Sequence, residues 1–243
     1  MKMVSKWVLV FSIAVAVLVI TAGFGVRMEW WGYPMGFTLL RYGFFAAAAC
    51  AAAAMIVITL SLLKRIPIGV AVVCALLINA ALVLVPALYL SEFRKITTVG
   101  EASTDFQNLP NFDVLANELR ASEQEPPLFT LEEAEAAQRE HFPELGPVTV
   151  SLEPAAAKAQ VVNVLTDMGL TIAPAGASEL RVEATQTTFW FGFRDDVVVE
   201  ISGLDEGGSL VNVRSASRVG KFDGGANAKR VEAILQGLNA SGA

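Results

Sequence analysis

The polar string between Arg214 and Arg230 gathers Arg214, Arg218, Lys221, Lys229 and Arg230 in a short stretch. Arg214 and Arg218 are four residues apart, so on a strand they project from one face. Gly224 and Gly225 then lead into an apolar-periodic segment whose first backbone N–H groups would attract an anion. These five cations therefore form a candidate site for an anionic group such as a lipid headgroup, a phosphate or a carboxylate. A second arrangement uses the same residues differently. Arg214 and Arg218 would pair across a sheet with Glu183, Asp195 or Asp196, and Asp223 would cap the helix. Sequence leaves both open.

Glu183, Asp195 and Asp196 are also the candidates for acid–base chemistry, since neighbouring carboxylates can be driven apart in pKa by their surroundings. Asp195 and Asp196 are adjacent, however, and on a strand they must face opposite ways. Ser215 and Ser217 have no base nearby, because the single histidine, His141, lies in another segment. Cys50 and Cys74 both sit in apolar runs and make no CxxC or Cys/His spacing. No metal and no cofactor are expected. Phe189, Trp190, Phe191 and Phe193 surround Gly192 and serve either as core or as an exposed contact for protein or lipid.

The elements that must position these groups begin at Pro147. Val148–Leu152 is strand-like, and Pro154 opens a helix ended by Gly169. Strands are expected at Leu170–Ala173, Leu180–Thr188, Val197–Ser202 and Leu210–Ser217, with a last helix over Ala226–Leu238. The order is β-α-β-β-β-β-α: an α+β unit, its antiparallel sheet covered on one face by two helices. Alternation sends Val182, Ala184, Val197, Val199, Ile201, Val211 and Val213 to the core. It sends Arg181, Glu183, Thr185, Asp196, Glu200, Asn212, Arg214 and Arg218 to the opposite face.

The rest of the chain is of another kind. Of the 243 residues 54% are hydrophobic and 17% charged, against roughly 25% charged in soluble domains. Three apolar runs, 7–26, 42–63 and 66–90, each reach the length of about 20 residues that crosses a bilayer as a helix. Lys2 and Lys6 precede the first run, and Lys64 and Arg65 separate the second from the third. By the positive-inside rule both clusters are cytoplasmic, which sends the carboxy-terminal half outside. Trp7, Trp30, Trp31, Tyr33 and Tyr89 fall at the expected interfaces. Residues 1–95 thus read as a three-helix membrane region. Residues 96–146 read as an acidic, Pro-containing linker with one short helix, signalled by the capping box Thr130–Glu133. Residues 147–243 read as an extracytoplasmic domain. Residues 97–243 carry ten Lys/Arg against twenty-two Asp/Glu, which disfavours nucleic acid as a partner.

The strings Val182-Glu183-Ala184-Thr185, Phe191-Gly192-Phe193-Arg194-Asp195-Asp196-Val197-Val198-Val199 and Val213-Arg214-Ser215-Ala216-Ser217-Arg218-Val219-Gly220-Lys221 resemble the domain of unknown function 1499 family. Asp223, Gly225 and Asn227-Ala228-Lys229-Arg230 continue the likeness, with looser agreement at Ser103-Thr104-Asp105 and Phe142-Pro143-Glu144. It covers about residues 96–240. Leu170 and Phe222 depart from the pattern, standing where Trp and Ser are usual. The resemblance implies a bacterial or plastid envelope protein and brings no agreed reaction. The expected location is the bacterial cytoplasmic (inner) membrane, with a cytoplasmic amino terminus and a periplasmic domain. The expected role is non-enzymatic binding or envelope assembly, with the lipid bilayer, an envelope protein or an anionic lipid as partner. The alternative is a periplasmic enzyme using Glu183, Asp195 and Asp196 as acid and base.

Overall fold

The computed structural model describes residues 2–96, 100–116 and 129–241. They fold as two compact units. The first holds the residues up to Ser91 together with Phe189–Gly192, and the second holds the remainder.

Three helices build the first unit: α1 (Lys2–Arg27), α2 (Tyr33–Leu63) and α3 (Val70–Phe93). Each is long and apolar enough to cross a membrane. Only 28%, 22% and 17% of the most apolar window of each is buried inside the protein. So much outward apolar surface would be costly in water, and lipid is the solvent that fits it. The helix limits differ from the apolar runs for local reasons. α2 begins at Tyr33 rather than 42, with Pro34 in its first turn, where proline is tolerated, and it carries Arg41 within it. α3 begins at Val70 rather than 66, because Pro67 and Gly69 hold residues 66–69 out of the helix.

Small residues let α1 and α2 approach closely. A Cβ on Gly43 would lie 2.5 Å from Val19 Cγ2, and one on Gly36 would lie 2.5 Å from Val26 Cγ2. Ala22, Ala47 and Ala54 are fully buried in the same unit. Ala54 and Val57 of α2 pack with Val72 and Leu76 of α3 and with Val8 of α1. Asn79 adds a polar tie: its Nδ2 donates to Ser12 Oγ at 2.6 Å and to Ala75 O at 2.7 Å.

The second unit is α+β. Its strands are β1 (Glu101–Ser103), β2 (Val148–Val150), β3 (Thr171–Ile172), β4 (Arg181–Thr187), β5 (Arg194–Gly203) and β6 (Ser209–Ser217). Its helices are α4 (Leu131–His141), α5 (Pro154–Asp167) and α6 (Ala226–Ser241). The sheet runs β1-β6-β5-β4-β3 with β2 also on β6, and every pairing is antiparallel. The order β-α-β-β-β-β-α is present, preceded by β1 and α4 from the segment that reads as a connector. Three residues are too few to show a strand period, which is why β1 is silent in sequence. The capping box of α4 forms as its spacing predicts.

The core lies between the sheet and α5/α6. Val182, Ala184, Val197, Val199, Ile201, Val211 and Val213 meet Val161, Leu165, Val231, Ile234 and Leu238 there. β5 starts at Arg194, three residues earlier than its apolar run, because Arg194, Asp195 and Asp196 stay in register opposite Thr187, Gln186 and Thr185.

Candidate functional site

The pleat separates the polar side chains of the sheet into two groups. On the face away from α5 and α6, Asp196 is fully buried. Arg218 grips it with two parallel bonds, Nε to Oδ2 at 2.8 Å and Nη2 to Oδ1 at 2.9 Å. Thr185 Oγ1 donates to the same Oδ1 at 2.7 Å. The fork of a guanidinium matches a carboxylate edge, which makes this pairing strong and directional.

The same face carries a strap, residues 110–115, fixed by charged side chains of the sheet. Glu183 accepts from Asp113 N at 2.5 Å and from Leu115 N at 2.8 Å. Glu200 accepts from Asn111 N at 3.4 Å and holds Arg181 Nη2 at 2.6 Å. Arg214 Nη1 donates to Pro110 O at 3.1 Å, and its guanidinium lies 5.1 Å from the centre of the Phe112 ring. Arg214 Nε also donates to Glu101 Oε1 at 2.6 Å, so one arginine ties β6 to β1 and to the strap.

The second group lies on the helix-covered face, where α6 begins. Arg230, buried, donates from Nη2 to Asp195 Oδ2 at 2.6 Å and from Nε to Gln186 Oε1 at 2.5 Å. Its Nη1 reaches Asn227 Oδ1 at 2.6 Å and Ser215 Oγ at 2.8 Å. Asp223 closes the start of the helix: Oδ2 accepts from Asn227 N at 2.8 Å and Oδ1 from Gly225 N at 3.0 Å. Gly224 and Gly225 have φ of 61° and 84°, a left-handed turn that glycine adopts without strain.

The five sequence-selected cations are thus distributed over the unit. Arg214 and Arg218 lie on one face and Arg230 on the other. Lys221 Nζ is 3.9 Å from Glu133 Oε2 and 5.7 Å from the Phe222 ring centre, and Lys229 is exposed on α6. Asp195 and Asp196 face opposite ways, each with its own arginine. Sequence reasoning missed Glu101, Thr185, Gln186 and Asn227 as partners. For Glu101 the only pointer was the neighbouring Ser103-Thr104-Asp105 string.

Two of the clefts among the described residues of this unit are lined in part by polar groups. One of about 190 Å³ is bordered by Lys158, Ile172, Gly176, Arg181 and Glu183. The other, about 450 Å³, lies among Ser103, Asp105, Gln138, Arg139 and Phe142. Gln138, buried, is part of its lining, with Oε1 accepting from Ser103 N and Nε2 donating to Ser103 O. Asp105, also in its lining, accepts from the backbone N–H and side-chain amide of Asn108 and from Gln107 N–H, which together hold its pKa below the usual value. Among the described residues, no three or more His, Cys, Asp or Glu gather as a metal site.

A family model described as "Protein of unknown function (DUF1499)" matches residues 118–238. No curated protein matches the chain.

Proposed function

We propose, from the premise that the chain belongs through residues 118–238 to the family of proteins of unknown function DUF1499, that it is an integral membrane protein displaying a non-enzymatic binding or envelope-assembly module. In this reading residues 1–95 are the membrane region, 96–146 a connector and 147–243 an extracytoplasmic domain. The membrane is the bacterial inner membrane, with the amino terminus in the cytoplasm and the domain in the periplasm. The distribution of Lys2, Lys6, Lys64 and Arg65 supports this orientation.

One observation carries the non-enzymatic reading. Each carboxylate offered by the sequence as acid or base is held by fixed donors: Glu183 by two backbone N–H groups, Asp195 by Arg230, and Asp196 by Arg218 and Thr185. A general acid or base must reach the proton it moves, and these three are turned to different partners on two faces. Of the five cations, Arg214, Arg218 and Arg230 are drawn into ion pairs on two different faces, which leaves Lys221 and Lys229 for recognition. An anionic lipid or an acidic face of an envelope protein is the matching partner.

The orientation is tested by fusing alkaline phosphatase or green fluorescent protein to the carboxy terminus. Phosphatase activity with a dark fluorescent fusion is expected, and the reverse overturns the topology. The binding role is tested by mild detergent purification and mass spectrometry of retained lipid and protein. A specific anionic lipid or envelope protein lost in Lys221→Glu/Lys229→Glu is expected. Turnover by the full chain that vanishes in a folded Asp196→Asn variant would establish the enzyme instead.

A further inference from the structure

The four residues Phe189–Gly192 belong to the helical unit, and their contacts are made below the end of α1. Trp190 Nε1 donates to Ile20 O at 2.9 Å. Its ring fills the notch that Gly23 leaves, where any Cβ would collide with the indole. Phe191 is buried and stacks on Phe37 of α2 with ring centres 5.2 Å apart. Arg27, the last residue of α1, donates from Nη1 to Phe189 O at 2.7 Å. Ile20 precedes Arg27 by seven residues, so at about 1.5 Å per residue Trp190 is bonded about 10 Å below that helix end.

Phe189 is different from its neighbours. It meets Phe24 edge-on at 5.5 Å yet remains 78% exposed. Its ring also lies 5.9 Å from the Arg27 guanidinium. An apolar ring, an arginine at the helix end and the indoles of Trp30 and Trp31 are the composition of a membrane interface. Non-helical backbone is tolerated at membrane depth where protein satisfies its polar groups; here Arg27 donates to the Phe189 carbonyl, and the polar edge of the Trp190 indole is satisfied by Ile20 O.

We propose that Phe189–Gly192 is a lipid-immersed element, with Phe189 in direct contact with phospholipid at the interface beside the carboxy-terminal end of α1. The occupant of this exposed apolar surface is the bilayer itself, because the surface is continuous with the outward apolar face of a helix long enough to span. The proposal rests on the reading that α1 crosses a membrane.

The test uses the full chain carrying Cys50→Ala and Cys74→Ala, reconstituted in phosphatidylcholine/phosphatidylglycerol vesicles. A polarity-sensitive fluorophore is attached at Phe189→Cys, at Val17→Cys on the exposed side of α1, or at Asp205→Cys in the β5–β6 turn. At 189 the expected result is blue-shifted emission, quenching by a doxyl group carried near the head of the lipid acyl chain, and protection from aqueous iodide. Position 205 should show the opposite. A label at 189 that iodide quenches as fully as at 205, while 17 stays protected, overturns the proposal and leaves the membrane reading standing. Loss of protection at 17 overturns the membrane reading first. If Phe189→Cys does not fold, Phe189→Trp with brominated phospholipid makes the same measurement: added quenching over the unmodified chain supports immersion, and none overturns it.

Discussion

Asp195 and Asp196 are neighbours in the chain and belong to separate networks: Arg230 of α6 holds the first at 2.6 Å, and Arg218 beyond β6 holds the second in a two-bond fork. Both acids are buried, at 7% and 0% exposure. Removing one partner of a buried pair leaves an uncompensated charge, a loss of about 3–5 kcal/mol. Asp196→Asn and Arg218→Gln should therefore each destabilise the full chain on that scale, as measured by denaturant unfolding followed by circular dichroism. A double-mutant cycle on 196 and 218 should show strong coupling, and one on 195 and 218 almost none. Equal coupling in the two cycles would contradict the separation of faces.

Glu183 holds the strap through two backbone N–H groups. Glu183→Gln keeps the shape and removes the charge that strengthens these bonds, a loss of about 1.5–3 kcal/mol for bonds to a charged group. Amide hydrogen exchange of Asp113 and Leu115 should rise, while the Val197–Val199 core stays protected. Unchanged exchange at 113 and 115 would show that the strap is held by something else.

Asp105 supplies a pH dependence. Its carboxylate is stabilised by N–H donors of Asn108 and Gln107, so its folded pKa lies below the unfolded value. The contribution is then present above the unfolded pKa and is lost as pH falls through the folded one. The donors to Asp105 are its neighbours in one short turn, so the effect is local: NMR of the 105–108 turn should show it loosening at acid pH. In Asp105→Asn the turn should no longer follow pH.

Gly43 sets the distance between α1 and α2. Gly43→Val must push Val19 aside, and overpacking of this kind costs about 1–3 kcal/mol. The variant should lose thermal stability in detergent, whereas Ala49→Val, on the exposed side of the same helix, should not. Equal loss in both would point to helix propensity rather than packing.

How much of this was readable in the residues divides along physical lines. The three apolar runs announce the helices, because crossing lipid needs length and hydropathy and little else. The limits of α2 and α3 follow proline and glycine chemistry instead, so these helices start at Tyr33 and Val70 and not at the edges of the apolar runs. Val182, Val197 and Val213 appear on the core face by alternation alone, and the divergence of Asp195 from Asp196 follows from the same period of two. The ion-pair partners do not. Glu101 meets Arg214 across 113 positions, and Glu183 is satisfied by backbone rather than by an arginine. Strand period assigns a side chain to a face but does not name its partner.

The start of α6 already contains a negative charge. Asp223 is tethered by two glycines to the very N–H groups a phosphate would seek, at an effective concentration on the order of millimolar or above. An external anion has to outcompete that built-in ligand. A weak one arriving from solution finds the seat taken, and recognition by this protein must be won elsewhere on its surface.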